Sequence, residues 1–323
     1  MVRDGGGEML KGNKLILVLG GINMDFVVKA ERIPKPGETL IGSDFSVVPG
    51  GKGANQAVCI ARLGGKVVLG GCLGNDYLGH KLKQGLEKEG VITDYLIIDK
   101  KEHSGVTVII INKDGDNSIV LDPGANMKFS PQRAAPLKEI LPQVSIVLAQ
   151  LEIPIETIDF IFSEAKKLKI KTVLDTGPAR PLPLSLLQNT DILSPNKTEL
   201  EALVGEEIKD VECAKKKAEK LLSWGVETVI LKLGEEGSYL LTNKGRSYFP
   251  AFKVKPVDTT AAGDAFMGAL CLSLSKGDSL PQAVEFANLA GACAVTKMGA
   301  QPSLPTPEDI NKLKNNLIRK RYR

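Results

Sequence analysis

Apolar and polar positions alternate along this chain with two periods, and the order in which the period changes predicts the architecture. Leu15 to Leu19 is an uninterrupted apolar run closed by Gly20-Gly21, the pattern of a strand buried on both faces. Similar short runs at Val67 to Cys72, Tyr95 to Ile98, Ser145 to Ala149, Thr172 to Asp175, Asp191 to Leu193 and Thr228 to Lys232 predict further strands. Between them the spacing changes to three and four residues. Ala54, Ala57, Val58 and Ala61 share one helical face, and so do Leu78, Leu82 and Leu86. Helices are predicted over Ile155 to Leu168, from Thr198, over Val211 to Trp224, Gly263 to Ser275 and Pro281 to Val295, and from Thr306-Pro307. This alternation predicts an α/β fold: a mainly parallel central sheet flanked by helices on both faces.

Two excursions break the rhythm. Phe26 to Lys29, Thr39 to Ile41 and Phe45 to Val48 are short β-prone pieces separated by Pro34, Pro36-Gly37 and Gly42. Gly105 to Ile111 and Ile119 to Leu121 flank the turn Lys113-Asp114-Gly115-Asp116 and predict a hairpin. Together, segments 26–49 and 105–121 predict a small separate sheet. Ser238 to Thr242 and Arg246 to Pro250 predict another hairpin. With no repeat or linker to divide it, the chain reads as one domain over 13–318, after a disordered glycine-rich tail at 1–12 and before a basic tail at 319–323.

Composition narrows the function classes. With 43% apolar and 25% charged residues, the 323-residue chain is that of a soluble globular protein. Its net charge of +4 is more than accounted for by Lys312, Lys314, Arg319, Lys320, Arg321 and Arg323, so the body offers no nucleic-acid surface. Cys59, Cys72, Cys213, Cys271 and Cys293 are odd in number and scattered, and read as free thiols in a reducing compartment. His80 and His103, the only histidines, lack partners at ligand spacing, which argues against a zinc site or a Ser-His-Asp triad. No run reaches the roughly 18 apolar residues of a membrane span and no signal-peptide core is present, so the cytoplasm is expected.

Candidate chemistry collects where strands end, the edge at which open α/β sheets bind ligands. Asn23 and Asp25 follow the first strand; an amide beside a carboxylate grips adjacent sugar hydroxyls, and equally forms turns. Gly50-Gly51-Lys52-Gly53-Ala54-Asn55 opens a helix and allows close backbone approach to a ligand, or serves only as a flexible loop. It is not a phosphate-binding P-loop, since Ser46 and Gly53 break that pattern, and Gln56 breaks the dinucleotide one. Glu152 closes a strand within reach of a ligand hydroxyl. Asn196 and Glu199, three apart at a helix start, suit hydrated Mg²⁺ and phosphate, or a capping box. Lys232-Leu233-Gly234-Glu235-Glu236-Gly237 fits a nucleotide or a plain hairpin turn. Asp258-Thr259-Thr260-Ala261-Ala262-Gly263-Asp264 brings backbone amides and a helix dipole to one point, which suits an anion. There Asp264 is either the base for phosphoryl transfer to a hydroxyl or a helix N-cap.

With these motifs in order, the chain resembles the ribokinase-like (PfkB) family of sugar and nucleoside kinases. The likeness rests on GGKGANQA at Gly50 to Ala57, DTTAAGDAF at Asp258 to Phe266, the NxxE of Asn196 and Glu199, and GAQPS at Gly299 to Ser303. It implies the family fold with a small β-sheet lid, and ATP-dependent phosphorylation of ribose at O5. By the resemblance, Asp264 is the base and Ala261, Ala262 and Gly263 supply the anion hole. Asn23, Met24, Asp25, Gly51, Lys52, Gly53, Ala54, Asn55 and Glu152 bind the sugar, together with Asp264. Asn196, Lys232, Leu233, Gly234, Glu235, Glu236, Gly237, Gly263 and Asn288 line ATP, and Glu199 orders Mg²⁺ through water. A K⁺ activator is implied near Asp258, Thr260, Ala294, Lys297, Gly299 and Ser303, as is a homodimer through the lid, with no nucleic-acid or membrane partner. Related readings are a kinase for 2-deoxyribose, fructose, 2-keto-3-deoxygluconate or a nucleoside, and a catalytically silent sensor on the same fold. The chain differs from the family pattern at Lys232, often a small hydroxyl residue, at Asp175-Thr176-Gly177 and at Lys197.

Overall fold

The apolar run forms strand β1 (Leu15–Leu19), whose side chains divide the core into two clusters. Ile16 and Val18 enter one, and Leu15, Leu17 and Leu19 the other, as the alternation of a strand requires. The computed structural model describes residues 14–321, with side chains to Asn316; the tail expected at 1–12 and residues 322–323 of the basic one lie outside what is described, while the backbone of 319–321 is helical.

From β1 the chain passes into β2 (Asn23–Lys29) and β3 (Ser43–Gly50), and returns through α1 (Lys52–Arg62), β4 (Val67–Gly74), α2 (Tyr77–Lys88) and β5 (Leu96–Asp99). A second excursion makes β6 (Gly105–Ile111) and β7 (Asn117–Asp122); short helical turns, α3 (Pro131–Ala134) among them, lead back to β8 (Val144–Ala149). Then come α4 (Ile155–Lys167), β9 (Lys171–Asp175), α5 (Leu184–Gln188), β10 (Ile192–Ser194), α6 (Lys197–Val204), α7 (Val211–Ser223) and β11 (Thr228–Lys232). The chain closes with the hairpin β12 (Ser238–Thr242) and β13 (Gly245–Phe249), and helices α8 (Ala262–Ser275), α9 (Leu280–Ala294) and α10 (Pro307–Arg321).

Nine strands form the central sheet in the order β13-β12-β11-β10-β9-β8-β1-β4-β5. From β5 to β11 all neighbours are parallel, and β12 and β13 add an antiparallel edge. Helices α1, α2, α8 and α9 pack on one face, and α4, α5, α6 and α7 on the other. The two excursions form a separate four-stranded sheet, β3-β2-β6-β7. Helix α8 is buried at every position from Asp264 to Ser273, as expected for a helix with apolar residues on all sides.

Some local expectations fail for tertiary reasons. Thr39 to Ile41 is not a strand: Ile41 is 98% exposed and the segment pairs with no strand among the described residues, so β propensity alone does not hold it. Helix α5 and the helical turns between β7 and β8 carry too few periodic positions to be predicted.

Candidate active site

Lys232, Asn196, Asp175, Gln150 and Gly20 lie at or just beyond the C-terminal ends of β11, β10, β9, β8 and β1, five neighbouring strands. Sheet order therefore collects into one groove residues that are far apart in sequence.

The polar floor of the groove is built by α1 meeting α8. Asn55 Nδ2 donates to Asp264 Oδ2 at 2.9 Å, and Gln56 Nε2 donates to Asp264 Oδ1 at 3.0 Å and Asp175 Oδ2 at 3.0 Å. Gln150 Nε2 in turn donates to Gln56 Oε1 at 2.5 Å. Lys52 Nζ is 3.2 Å from Asp175 Oδ2 and 3.9 Å from Asp264 Oδ1, and Lys232 Nζ is 2.5 Å from Asp175 Oδ1. Burial raises the Asp264 carboxyl above its ordinary range, against the pull of Lys52. Burial acts the same way on Asp175, but Lys232 and Lys52 outweigh it and hold that carboxyl low. Against the lowering effect of its own burial, Asp175, Asp264, Glu199 and Glu152 keep Lys52 protonated.

The approach of α1 to the β1–β2 connection depends on two glycines. Gly51 has φ +89°, and a Cβ at Gly53 would lie 2.6 Å from the Gly20 carbonyl carbon, so no larger residue fits without moving backbone. Asn23 and Asp25 begin β2 beside this turn. Asn126 Nδ2 donates to Asn23 Oδ1 at 2.8 Å. Burial pushes Asp25 up to about 6, opposed by its bond from Thr107. Across the cleft Glu152 Oε2 accepts from Lys52 N at 2.8 Å, and burial pushes Glu152 up to about 7, with Lys52 opposing. Asn55 Oδ1 and Gln150 Oε1 are buried with no partner among the described residues; an acceptor of that kind is costly unless a ligand donor reaches it. Met24 and Ala54 instead pack into the core.

At the head of α8, Ala261 is in the left-handed region at φ 59° and, among the described residues, no side chain caps the helix. The N-cap reading of Asp264 is thus corrected: its carboxylate turns toward α1 and meets Asn55 and Gln56. Ala262 N–H donates to Thr259 O at 3.2 Å.

Asn196 and Glu199 form a capping box on α6. Glu199 accepts from Thr176 Oγ1 at 3.0 Å as well, and lies 3.6 Å from Lys232 Nζ. Beside them a cleft of about 700 Å³ is lined by Asn196, Lys197, Lys209, Lys232, Leu233, Gly234 and Glu236. Glu235 and Gly237 belong to the same turn, closed by Leu233 N–H on Gly237 O at 2.8 Å. Asn288 stands behind it, donating to Ser238 Oγ at 3.0 Å and Phe249 O at 3.3 Å.

A third cluster adjoins the α8 head. Asp258 accepts from Thr260 N and Oγ1 and, across to the following loop, from Gly299 N at 2.8 Å. Those bonds outweigh burial and lower its pKa. Ser303 Oγ donates to Ala300 O. The Lys297 ammonium turns away to Asp309 at 2.6 Å, and Ala294 is buried, so each offers this cluster only its backbone.

Sequence reasoning missed Gln56, Gln150, Asp175, Thr176, Thr107 and Asn126. One signal was present: Asp175 and Lys232 both depart from the family pattern, and they touch.

Comparison with known proteins identifies the family and the fold. Residues 13–307 match the family described as pfkB family carbohydrate kinase. A ribokinase of Haemophilus influenzae is 40% identical over 92% of this chain and 97% of its own length. A deoxyribokinase of Salmonella typhi is 34% identical over 92% and 97%. The structure of Arabidopsis thaliana ribokinase complexed with ribose and ATP superposes with a TM-score of 0.86 at 36% identity, covering 93% of this chain and 98% of that one.

Proposed function

The chain belongs to the pfkB family of carbohydrate kinases, and from that premise we propose that it transfers the γ-phosphoryl group of ATP to O5 of D-ribose. The observation that carries this reading is the buried Asp264 carboxylate, aimed across the groove by Asn55 and Gln56 at the head of α8. In the mechanism Asp264 takes the proton of the sugar hydroxyl as its oxygen attacks phosphorus, and the amides of Ala261 and Gly263 face the phosphoryl oxygens, joined by Ala262 once its N–H leaves Thr259 O. Asn23, Asp25, Lys52, Asn55 and Glu152 hold the sugar. The partnerless Asn55 Oδ1 supplies an acceptor for one of its hydroxyls. Asn196 and the 232–237 turn hold the nucleotide along the adjoining cleft.

Bound with ATP, Mg²⁺ would neutralise phosphate charge. Among the described residues no three His, Cys, Asp or Glu side chains converge to hold a metal, and the Glu199 carboxylate is engaged by Asn196 and Thr176. A water-mediated contact from Glu199 fits that donor set. For K⁺, the single carboxylate of Asp258, bonded to Thr260 and to the Gly299 backbone, would supply the charge, and backbone carbonyls of the adjoining loops would complete the shell of a large, weakly hydrated cation. The small sheet exposes Phe45, Val47, Val108 and Val120 on one face, an apolar surface suited to a second copy of the chain. Among the described residues no helix is long and apolar enough to cross a membrane, and the five cysteines are free; both fit a cytoplasmic enzyme.

The likeness to a deoxyribokinase favours 2-deoxyribose as the second reading. A panel of sugars and nucleosides with Mg-ATP, scored by kcat/KM, tests both. Ribose is expected to lead, and a lead for 2-deoxyribose or a nucleoside overturns the assignment.

A further inference from the structure

Lys232 ends β11 with its backbone fixed by a bond from its N–H to Pro195 O at 2.8 Å. Its side chain is only 12% exposed, and the ammonium is 2.5 Å from Asp175 Oδ1 and 3.6 Å from Glu199 Oε2. A methyl group added at Gly263 would lie 4.0 Å from that ammonium. The cation therefore stands between the nucleotide cleft, which it also lines, and the amides at the head of α8.

A bland role would be to neutralise buried Asp175. That carboxylate, however, already has Lys52 at 3.2 Å and Gln56 at 3.0 Å. An ammonium has three donors, and among the described residues Asp175 is the only hydrogen-bond acceptor for this one. Two N–H groups remain beside the anion-binding turn.

Resting on the kinase reading above, we propose that Lys232 is a catalytic residue that contacts the transferred phosphoryl group. Asp175 holds the ammonium before the triphosphate enters, and the γ-phosphoryl oxygens then take up its remaining donors. In the transfer, the sugar oxygen forms its bond to the γ-phosphorus and gives its proton to Asp264. The bond from that phosphorus to the β–γ bridging oxygen breaks, and ADP leaves with the electron pair. Lys232 exchanges no proton; it offsets negative charge on the moving group.

The test compares the wild type with Lys232→Thr, Lys232→Gln, Asp175→Asn and the double variant Asp175→Asn/Lys232→Thr. Steady-state turnover of ribose and Mg-ATP is measured, with calorimetric affinities for ADP and a non-hydrolysable ATP analogue. Lys232→Thr should lower kcat roughly 10- to 1,000-fold and leave the ribose KM within about threefold. It should weaken the triphosphate analogue more than ADP, and the double variant should stay slow. Lys232→Gln, which keeps the bond to Asp175 without the charge, should show the same loss if the threonine variant does not fold. Wild-type turnover in the double variant would reduce Lys232 to a neutraliser of Asp175 and overturn the inference, as would an unchanged kcat in both single Lys232 variants. A wild type that phosphorylates no sugar would instead sink the kinase reading itself.

Discussion

Replacing Asp264 by asparagine separates the carboxylate's chemistry from its shape. Each of its oxygens accepts one bond, from Asn55 at 2.9 Å and Gln56 at 3.0 Å. Asparagine offers one acceptor oxygen, so one of those donors must face an NH₂ group, at a cost of about 1–3 kcal/mol. Removing a buried charge works the other way, since burial is what raises the Asp264 pKa. The two effects oppose, and the variant should fold with stability within about 2 kcal/mol of the wild type. Turnover has no such compensation. Loss of a general base costs roughly 10²- to 10⁴-fold in rate, about 2.7–5.5 kcal/mol on the barrier. ADP release at saturating ribose and Mg-ATP measures it, with thermal unfolding and calorimetric ribose binding as controls. A folded variant whose kcat stays within about threefold of wild type refutes the assignment of the base. Loss of ribose affinity matching the loss of turnover refutes it too, because Asp264 would then act by holding the sugar.

The remaining predictions address the cleft, the cation and the small sheet. Glu152 binds its proton more tightly folded, at about 7, than at its ordinary 4.5, so the ligand-free protein loses stability from this group as pH rises through that window. Glu152→Gln should flatten the dependence of the unfolding midpoint on pH between those values, and an unchanged slope counts against the perturbed carboxyl. Adding K⁺ to an assay free of Na⁺ and K⁺ should raise turnover, and Asp258→Asn should abolish the response; indifference of the wild type removes the cation site. Phe45→Asp with Val120→Asp should convert a dimer to monomers in sedimentation, and a wild type that is already monomeric contradicts the proposed interface.

What could be read from the sequence was what neighbouring residues decide among themselves. The apolar run of β1, the glycine turn at Gly50 to Gly53 and the i, i+3 pair of Asn196 and Glu199 are local patterns, and each takes its expected form. The polar floor is not local: Asn55 and Asp264 are 209 residues apart, and Gln56, on the helix packed against β1, meets Asp175 because β1, β8 and β9 are successive neighbours in the sheet. In sequence Gln56 was one residue of the GGKGANQA run that spoils a dinucleotide motif, and Asp175 the end of a strand and a departure from the family pattern; neither said that they meet. The cap reading of Asp264 had the converse fault. It followed local helix logic where α1 supplies better donors.

The amide of Gln56 has a further consequence for how the enzyme resets. Both of its hydrogens are committed, one to each carboxylate, and an amide nitrogen neither accepts a proton nor passes one on. Lys52, kept fully protonated by the acids around it, has no vacancy either. Asp264 and Asp175 are thus coupled mechanically but insulated from each other as acids. Under the proposed mechanism a proton captured by Asp264 has no relay into the interior and must depart on the solvent side, so recharging the base for the next cycle waits on the product clearing the groove.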